Sequence, residues 1–561
     1  MRNMKKLLSM LLALAMIFSL SVTAFADEVT EEPTYSITIE NNAAGHIYEA
    51  YQIFTGTLAK EAENDAASGT NAVLSDIQWG NGVSDDGKTA LQTKYAVNSA
   101  AALAELLNSG NIKDFVTEVS KYLTTAAASD DSVENGKYVL SGLAAGYYLV
   151  KDQSESLNGK NDAYTSYILE VVENSTVTPK SSVPEVQKKV KDINDSTETE
   201  KTNWQDSADH DIGDTVPFQL KATLASNLEN YLKYKVVFHD TMSAGLTFDG
   251  IVSVKIINGN DEPITLTTGQ YSVVTDTLKD NAETENFVEG TALTITIEDV
   301  KGLGAKNDAV VIVEYNAILN ENAVLGAPGN PNVVYLEYSN NPNWGWDVWE
   351  DEDGDNEWDE GETPDDETDE DDDEDTGKTP EDKVIVFTYK LDVNKITKDA
   401  EGNEIALAGA TFTLEKKLAD GSWKTIELTV AGNVFTAKGL DDGIYRLTET
   451  VAPEGYNQLT APIYFKVEAT HDELANDPAL KTLTVTLIDE KGNVIADVQD
   501  GNLGSFTADK TTGFIVTDVI NNAGIVLPET GGMGTTLIYM VGAFMVLCAT
   551  VLLVTKRRMV A

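Results

Sequence analysis

Leu391-Asp-Val-Asn-Lys395 and, more than a hundred residues later, Phe514-Ile-Val-Thr-Asp-Val-Ile-Asn521 decide how the last third of this chain is read. In an extended strand, alternate side chains point to the same face. Leu391, Val393 and Lys395 therefore share a face, and so do Thr517, Val519 and Asn521. A lysine aimed into an apolar sandwich core is costly unless it is paired or neutral. Further strands are expected at Ala410–Lys416 and Gly443–Glu449, so residues 391–526 are read as a compact β-module.

Between the two strands lies Tyr445-Arg-Leu-Thr-Glu449-Thr-Val-Ala-Pro453-Glu-Gly-Tyr456. A strand lysine, a late asparagine and this Glu-x-x-Ala-Pro-x-Gly-Tyr element together resemble the CnaB-like domains of Gram-positive surface proteins. The resemblance implies an immunoglobulin-like sandwich of Cna type and a spontaneous isopeptide bond from Lys395 to Asn521, promoted by Glu449. The chemistry is physically coherent. Burial disfavours the ammonium, which cannot attack, and favours the protonated acid. That acid can polarise the asparagine carbonyl and pass a proton to departing ammonia. Packing supplies the effective concentration. One turnover within one chain does not make an enzyme. The alternative is a buried Lys–Glu pair beside a satisfied asparagine.

Upstream, residues 184–390 carry alternating strands with turn signals between them and almost no helical pattern, which suggests a second β-sandwich. Val186 and Lys188 share a face; so do Val236, Phe238 and Asp240, and Leu336, Tyr338 and Asn340. This segment resembles the isopeptide-forming middle domain of fimbrial shaft proteins, which implies a Lys188–Asn340 bond promoted by Asp240. Lys189 and Asn341 are rivals one residue away that alternation disfavours, and Glu314 is a rival acid. Within this module, residues 347–376 hold 20 Asp or Glu and no Lys or Arg. Self-repulsion should keep them solvated as a long insert. Asp351, Asp353, Asp355 and Asp359 space oxygen ligands as calcium loops do, but out of EF-hand register, because Trp349 would fall at the first ligand position. We read the stretch as solvated acid, with calcium as the alternative.

Residues 27–183 open with the alternating Tyr35-Ser-Ile-Thr-Ile and are expected to hold helices at Ala90–Leu107 and Ile112–Ala126, then strands at Lys137–Lys151 and Ser166–Val172. The module ends at Thr178-Pro179-Lys180. That lysine stands where shaft pilins resembling this chain place the acceptor that joins one subunit to the next, although threonine replaces the usual tyrosine.

Both ends are set aside from the fold. Residues 1–26 combine basic Arg2, Lys5 and Lys6, an apolar run and Ala24-Phe-Ala26, as an export signal does. At the other end, 527–561, Leu527-Pro528-Glu529-Thr530-Gly531 precedes an apolar run and a basic Lys556-Arg557-Arg558 tail. This tripartite ending resembles a sortase cell-wall sorting signal, in which a sortase cysteine attacks the Thr530 carbonyl and releases Gly531 onward.

A net charge of −52 disfavours nucleic acid. The single cysteine, Cys548, cannot form an internal disulfide, so a secreted chain must gain robustness otherwise. Taken together, the resemblance implies the shaft subunit of a covalently polymerised pilus on a Gram-positive cell surface, joined through Thr530 to Lys180. As partners it implies pilin-type and housekeeping sortases, identical subunits, accessory pilins, peptidoglycan and a host-surface ligand, with no cofactor. The alternative is an unpolymerised or accessory wall-anchored adhesin. A wall-anchored enzyme lacks any active-site constellation in this sequence.

Overall fold

The computed structural model describes residues 34–60, 72–108, 110–154, 156–179, 181–231, 233–279, 289–342, 376–496, 502–524 and 534–558. The export signal, Lys180, the acidic residues including Asp351, Asp353, Asp355 and Asp359, and Leu527–Gly531 lie outside the described residues.

The chain is mainly β and forms layered sheets in succession. First come a sheet of Tyr48–Lys60, Ala72–Trp79, Gly146–Asp152 and Ser166–Val171 and a smaller one of Lys137–Leu143, Tyr35–Glu40 and Ser175–Val177. One face of the larger sheet packs Tyr48, Ala50 and Val150 on the smaller sheet. The other packs Ile53, Phe54 and Leu149 with Phe115 and Val119 of a helical layer. The helices differ from the sequence expectation. The segment expected as one helix is two, Asp85–Lys94 and Ala100–Leu106. Ala96 takes a positive φ of 51° and breaks the first, while Ser99 caps the second by accepting from Ala102 N–H at 3.2 Å. The third, Ile112–Ser120, stops short of Ala126.

The next layers illustrate why alternation builds a sandwich. In Val310–Leu319 every second residue, Val311, Val313, Tyr315, Ala317 and Leu319, is buried. This strand lies between Leu246–Ile257 and Thr215–Thr223, and Glu185–Val190 forms the edge beyond. The facing sheet runs Ser207–Asp209, Asp382–Phe387, Asn330–Ser339, Val236–Ser243, Glu289–Ile297, Ser272–Lys279. One continuous core joins the two.

Asp382–Phe387 and Tyr389–Lys398 follow one another along the chain but belong to different sheets. The change takes place at the single residue Thr388, fully buried, whose hydroxyl donates to Leu440 O at 3.2 Å. Beside it Gly326 and Gly513, both with positive φ, touch backbone to backbone; a Cβ on Gly326 would sit 2.3 Å from Gly513 N. The last sandwich pairs Tyr389–Lys398 with Val434–Leu440 on one side and, in parallel, with Phe514–Ile520 on the other. Thr411–Lys417, Gly443–Val451, Ile463–His471 and Leu480–Ile488 form its second sheet. After it, Gly534–Arg558 is helical, and Leu537–Arg557 is long and apolar enough to cross a bilayer.

Candidate functional sites: two buried lysine clusters

The parallel register puts Lys395 beside Val519 and carries Asn521 one residue past Ile520, at the same end of the core. Glu449 reaches them from the opposite sheet. Lys395 Nζ donates to Val519 O at 2.9 Å and lies 4.0 Å from Glu449 Oε1. Asn521 Nδ2 donates to that same oxygen at 2.8 Å, and Leu459 N–H donates to Oε2, also at 2.8 Å. Lys395 and Glu449 side chains are fully excluded from solvent. Burial pushes the Lys395 pKa down to about 8, with the Glu449 charge pulling the other way. The Asn521 carboxamide oxygen has no hydrogen-bond partner among the described residues. An unmet buried acceptor of this kind costs about 1–3 kcal/mol.

The second cluster sits between the sheets of the preceding sandwich. Lys188 on the edge strand donates to Asp240 Oδ2 and, at 2.9 Å, to the Tyr315 hydroxyl. Tyr315 lies 3.1 Å from both Asp240 oxygens. Phe218 and Tyr315 rings wall the amine, 5.4 and 5.3 Å from their centroids. Lys188 and Asp240 are both sealed from water. Burial lowers the lysine pKa against the pull of Asp240, and burial raises that of Asp240 against the pull of Lys188. Both shifts favour the uncharged pair.

The asparagine expected here is displaced. Asn340 does not meet Lys188. Its side-chain amide donates to Leu157 O at 3.2 Å, and its backbone carbonyl accepts from Tyr164 N–H at 2.9 Å, so it clamps the first layers to the second. Asn332 occupies the cluster instead: its amide donates to the Tyr315 hydroxyl at 2.7 Å, and its carboxamide oxygen is buried without a partner among the described residues. The reason is register. Asp240 pairs with Val334 and Met242 with Asn332, whereas Asn340 lies beyond Tyr338, opposite Val236. Eight residues of strand separate the two asparagines, roughly 26 Å. Both belong to one alternating face, so period two could not choose between them. Tyr315 was missed for a similar reason, since it reads as one more core residue in an apolar alternation.

The rivals face elsewhere. Lys189 pairs with Asp206, and Glu314 accepts from Gln219 at 3.1 Å and Ser253 at 3.2 Å. A third buried lysine, Lys416, makes a useful contrast. Burial opposes its charge, but Asp441, Asp211 and Asp195 outweigh that and push its pKa upward. Held as an ammonium by three carboxylates, it is an ion-pair centre and not a nucleophile.

Residues 212–342, which include Asp240, Tyr315 and Asn332, match the Cna-B-like domain of Gram-positive pilin backbone subunit 2. Residues 392–479, which include Lys395 and Glu449, match a prealbumin-like fold domain. Among curated proteins, the chain is 23% identical over 513 residues to the trypsin-resistant surface T6 protein of Streptococcus pyogenes, covering 84% of this chain and 88% of that one. Solved structures that it resembles include the T6 backbone pilin of S. pyogenes, at TM-score 0.49, 18% identity and coverage of 89% and 100%. Another is the full-length major pilin SpaD of Corynebacterium diphtheriae, at TM-score 0.45, 17% identity and coverage of 89% and 99%. The two domain matches, in this order on a mainly β chain, support a backbone pilin, a structural subunit of a surface pilus.

Proposed function

We propose that this subunit is exported, joined head to tail by a pilin-type sortase through Thr530 to Lys180 of the next copy, and stapled internally by two self-formed isopeptide bonds. A housekeeping sortase would then fix the fibre to peptidoglycan, alongside accessory pilins and a host-surface ligand. The apolar helix Leu537–Arg557 with its basic end supports retention in the membrane until Thr530 is cleaved. Thr178-Pro179-Lys180 supports the acceptor by its place after the first sheets.

The observation that carries the stapling is the sharing of one Glu449 oxygen by Lys395 and Asn521 inside a dry core. In the proposed step the neutral Lys395 amine attacks the Asn521 side-chain carbonyl carbon. A new C–N bond forms, the bond to Nδ2 breaks, and the nitrogen leaves as ammonia after taking the proton given up by the amine. Glu449 ferries that proton. The Asn521 amide orientation that presents oxygen to Glu449 is related to the present one by a simple flip of the carboxamide. In the preceding sandwich, Lys188 and Asn332 would react in the same way, with Asp240 as the acid and Tyr315 holding both partners. Intact-protein mass spectrometry of the folded chain tests this. Two bonds predict a mass lower than the sequence mass by two ammonia molecules, and an unshifted mass would refute both.

A further inference from the structure

The segment from Lys191 to Asp214 leaves Glu185–Val190 of the middle sandwich, crosses to contact the last sandwich and returns to Thr215–Thr223. Asp206 N–H donates to Glu473 O at 2.7 Å, Ile212 N–H to Gly439 O at 3.0 Å, and Asp442 N–H to Asp209 Oδ2 at 3.0 Å. In this joint Asp192 and Asp209, from the crossing segment, meet His471, at the end of the strand Ile463–His471. Their side chains are 14%, 3% and 8% exposed.

The hydrogen bonds around the histidine settle its tautomer. Ser207 Oγ lies 2.7 Å from His471 Nδ1 and also donates its proton to Asp472 O. With that proton committed, Ser207 can only accept, so Nδ1 carries the hydrogen and Nε2 of the neutral ring presents a lone pair. Nε2 points at Asp192 Oδ2, 3.6 Å away, and Asp209 Oδ1, 3.8 Å away. Both separations exceed a hydrogen bond. The remaining atoms of the set are already tied: Asp209 Oδ2 to Asp442 N–H, and Asp192 Oδ1 to Ile193 N–H at 2.7 Å. A lone pair and two carboxylate oxygens thus converge on one point, each side chain braced from behind as the outer contacts of metal ligands are.

We propose that Asp192, Asp209 and His471 form a divalent metal site that bridges the two sandwiches. One imidazole and two carboxylates suit zinc or manganese better than calcium or magnesium, which prefer all-oxygen sets. The neighbouring group of Asp195, Asp211, Asp214 and Asp441 already holds a cation of the chain itself, the Lys416 ammonium, paired with Asp195, Asp211 and Asp441. At the proposed site the competing occupant is a second proton on the ring. Metal uptake therefore displaces a proton.

The test is calorimetric titration of zinc chloride into the chelator-stripped full chain in detergent micelles, with enough salt to suppress diffuse binding by the acidic stretch. The expected result is one saturable site, weakened about tenfold or more by Asp192→Asn and by His471→Gln and retained in His239→Gln, with proton release on binding. No saturable site, or one indifferent to both substitutions, would overturn the proposal. If circular dichroism shows that His471→Gln does not fold, Asp192→Asn, at the wetter edge of the site, decides alone.

Discussion

Asn332 and Lys188 donate to the same Tyr315 hydroxyl, at 2.7 and 2.9 Å, although they stand 144 positions apart in the chain. The proposed partner of Lys188 is therefore Asn332. Asn332→Ala or Lys188→Ala should leave the chain with one ammonia lost instead of two by intact mass. Asn340→Ala should retain both losses. A chain that loses a bond on Asn340→Ala would return the assignment to that residue.

Tyr315 brings amine and amide together, so Tyr315→Phe should slow the Lys188 bond while leaving the Lys395 bond at full extent. Time-resolved mass spectrometry after refolding reads the two separately, through peptides carrying each crosslink. Equal slowing of both would point to a general folding defect.

Glu449→Ala should stop the bond between Lys395 and Asn521. A crosslink closing a loop of more than a hundred residues contributes about 4–5 kcal/mol by the chain-entropy model. Its loss should lower the melting temperature of that sandwich by roughly 10–20 °C. Calorimetric scanning of wild type and variant checks this, and an unchanged transition would mean that no bond was present.

In an Asn521→Ala chain, Lys395 stays a free amine with a folded pKa of about 8, against an ordinary value of 10.5. The folded state then binds fewer protons than the unfolded state between those values, so stability rises as pH goes from 8 to 10.5 and is lower below 8. The difference in melting temperature between Asn521→Ala and Lys395→Met/Asn521→Ala should follow that window. A flat difference would show that the amine is not desolvated.

Lys180→Ala should convert the high-mass ladder of cell-wall extracts on denaturing gels into single subunits, and Thr530→Ala should prevent both ladder and wall linkage. A ladder that survives Lys180→Ala would place the acceptor on another lysine.

Much of this was legible because a two-residue period is a strong signal. Leu391, Val393 and Lys395 lie on one buried face, and Asn521 directly follows the last strand, at the same end of the core as Lys395. Where several candidates share a face, the period is silent. Asn332 and Asn340 alternate together, and only the pairing of Met242 with Asn332 separates them. Nor could spacing foretell Asp192, Asp209 and His471, which come from different sandwiches and meet only when one packs on the next. The single break between Lys94 and Ala100 turned on one left-handed residue, Ala96, with no glycine to announce it.

The parallel pairing of Tyr389–Lys398 with Phe514–Ile520 has a mechanical consequence. The chain enters this sandwich at the start of one strand and leaves at the end of its immediate neighbour, so a pull on the two termini slides the strands lengthwise. All rungs between them are loaded at once in shear, where an antiparallel exit would have let them open one by one like a zip.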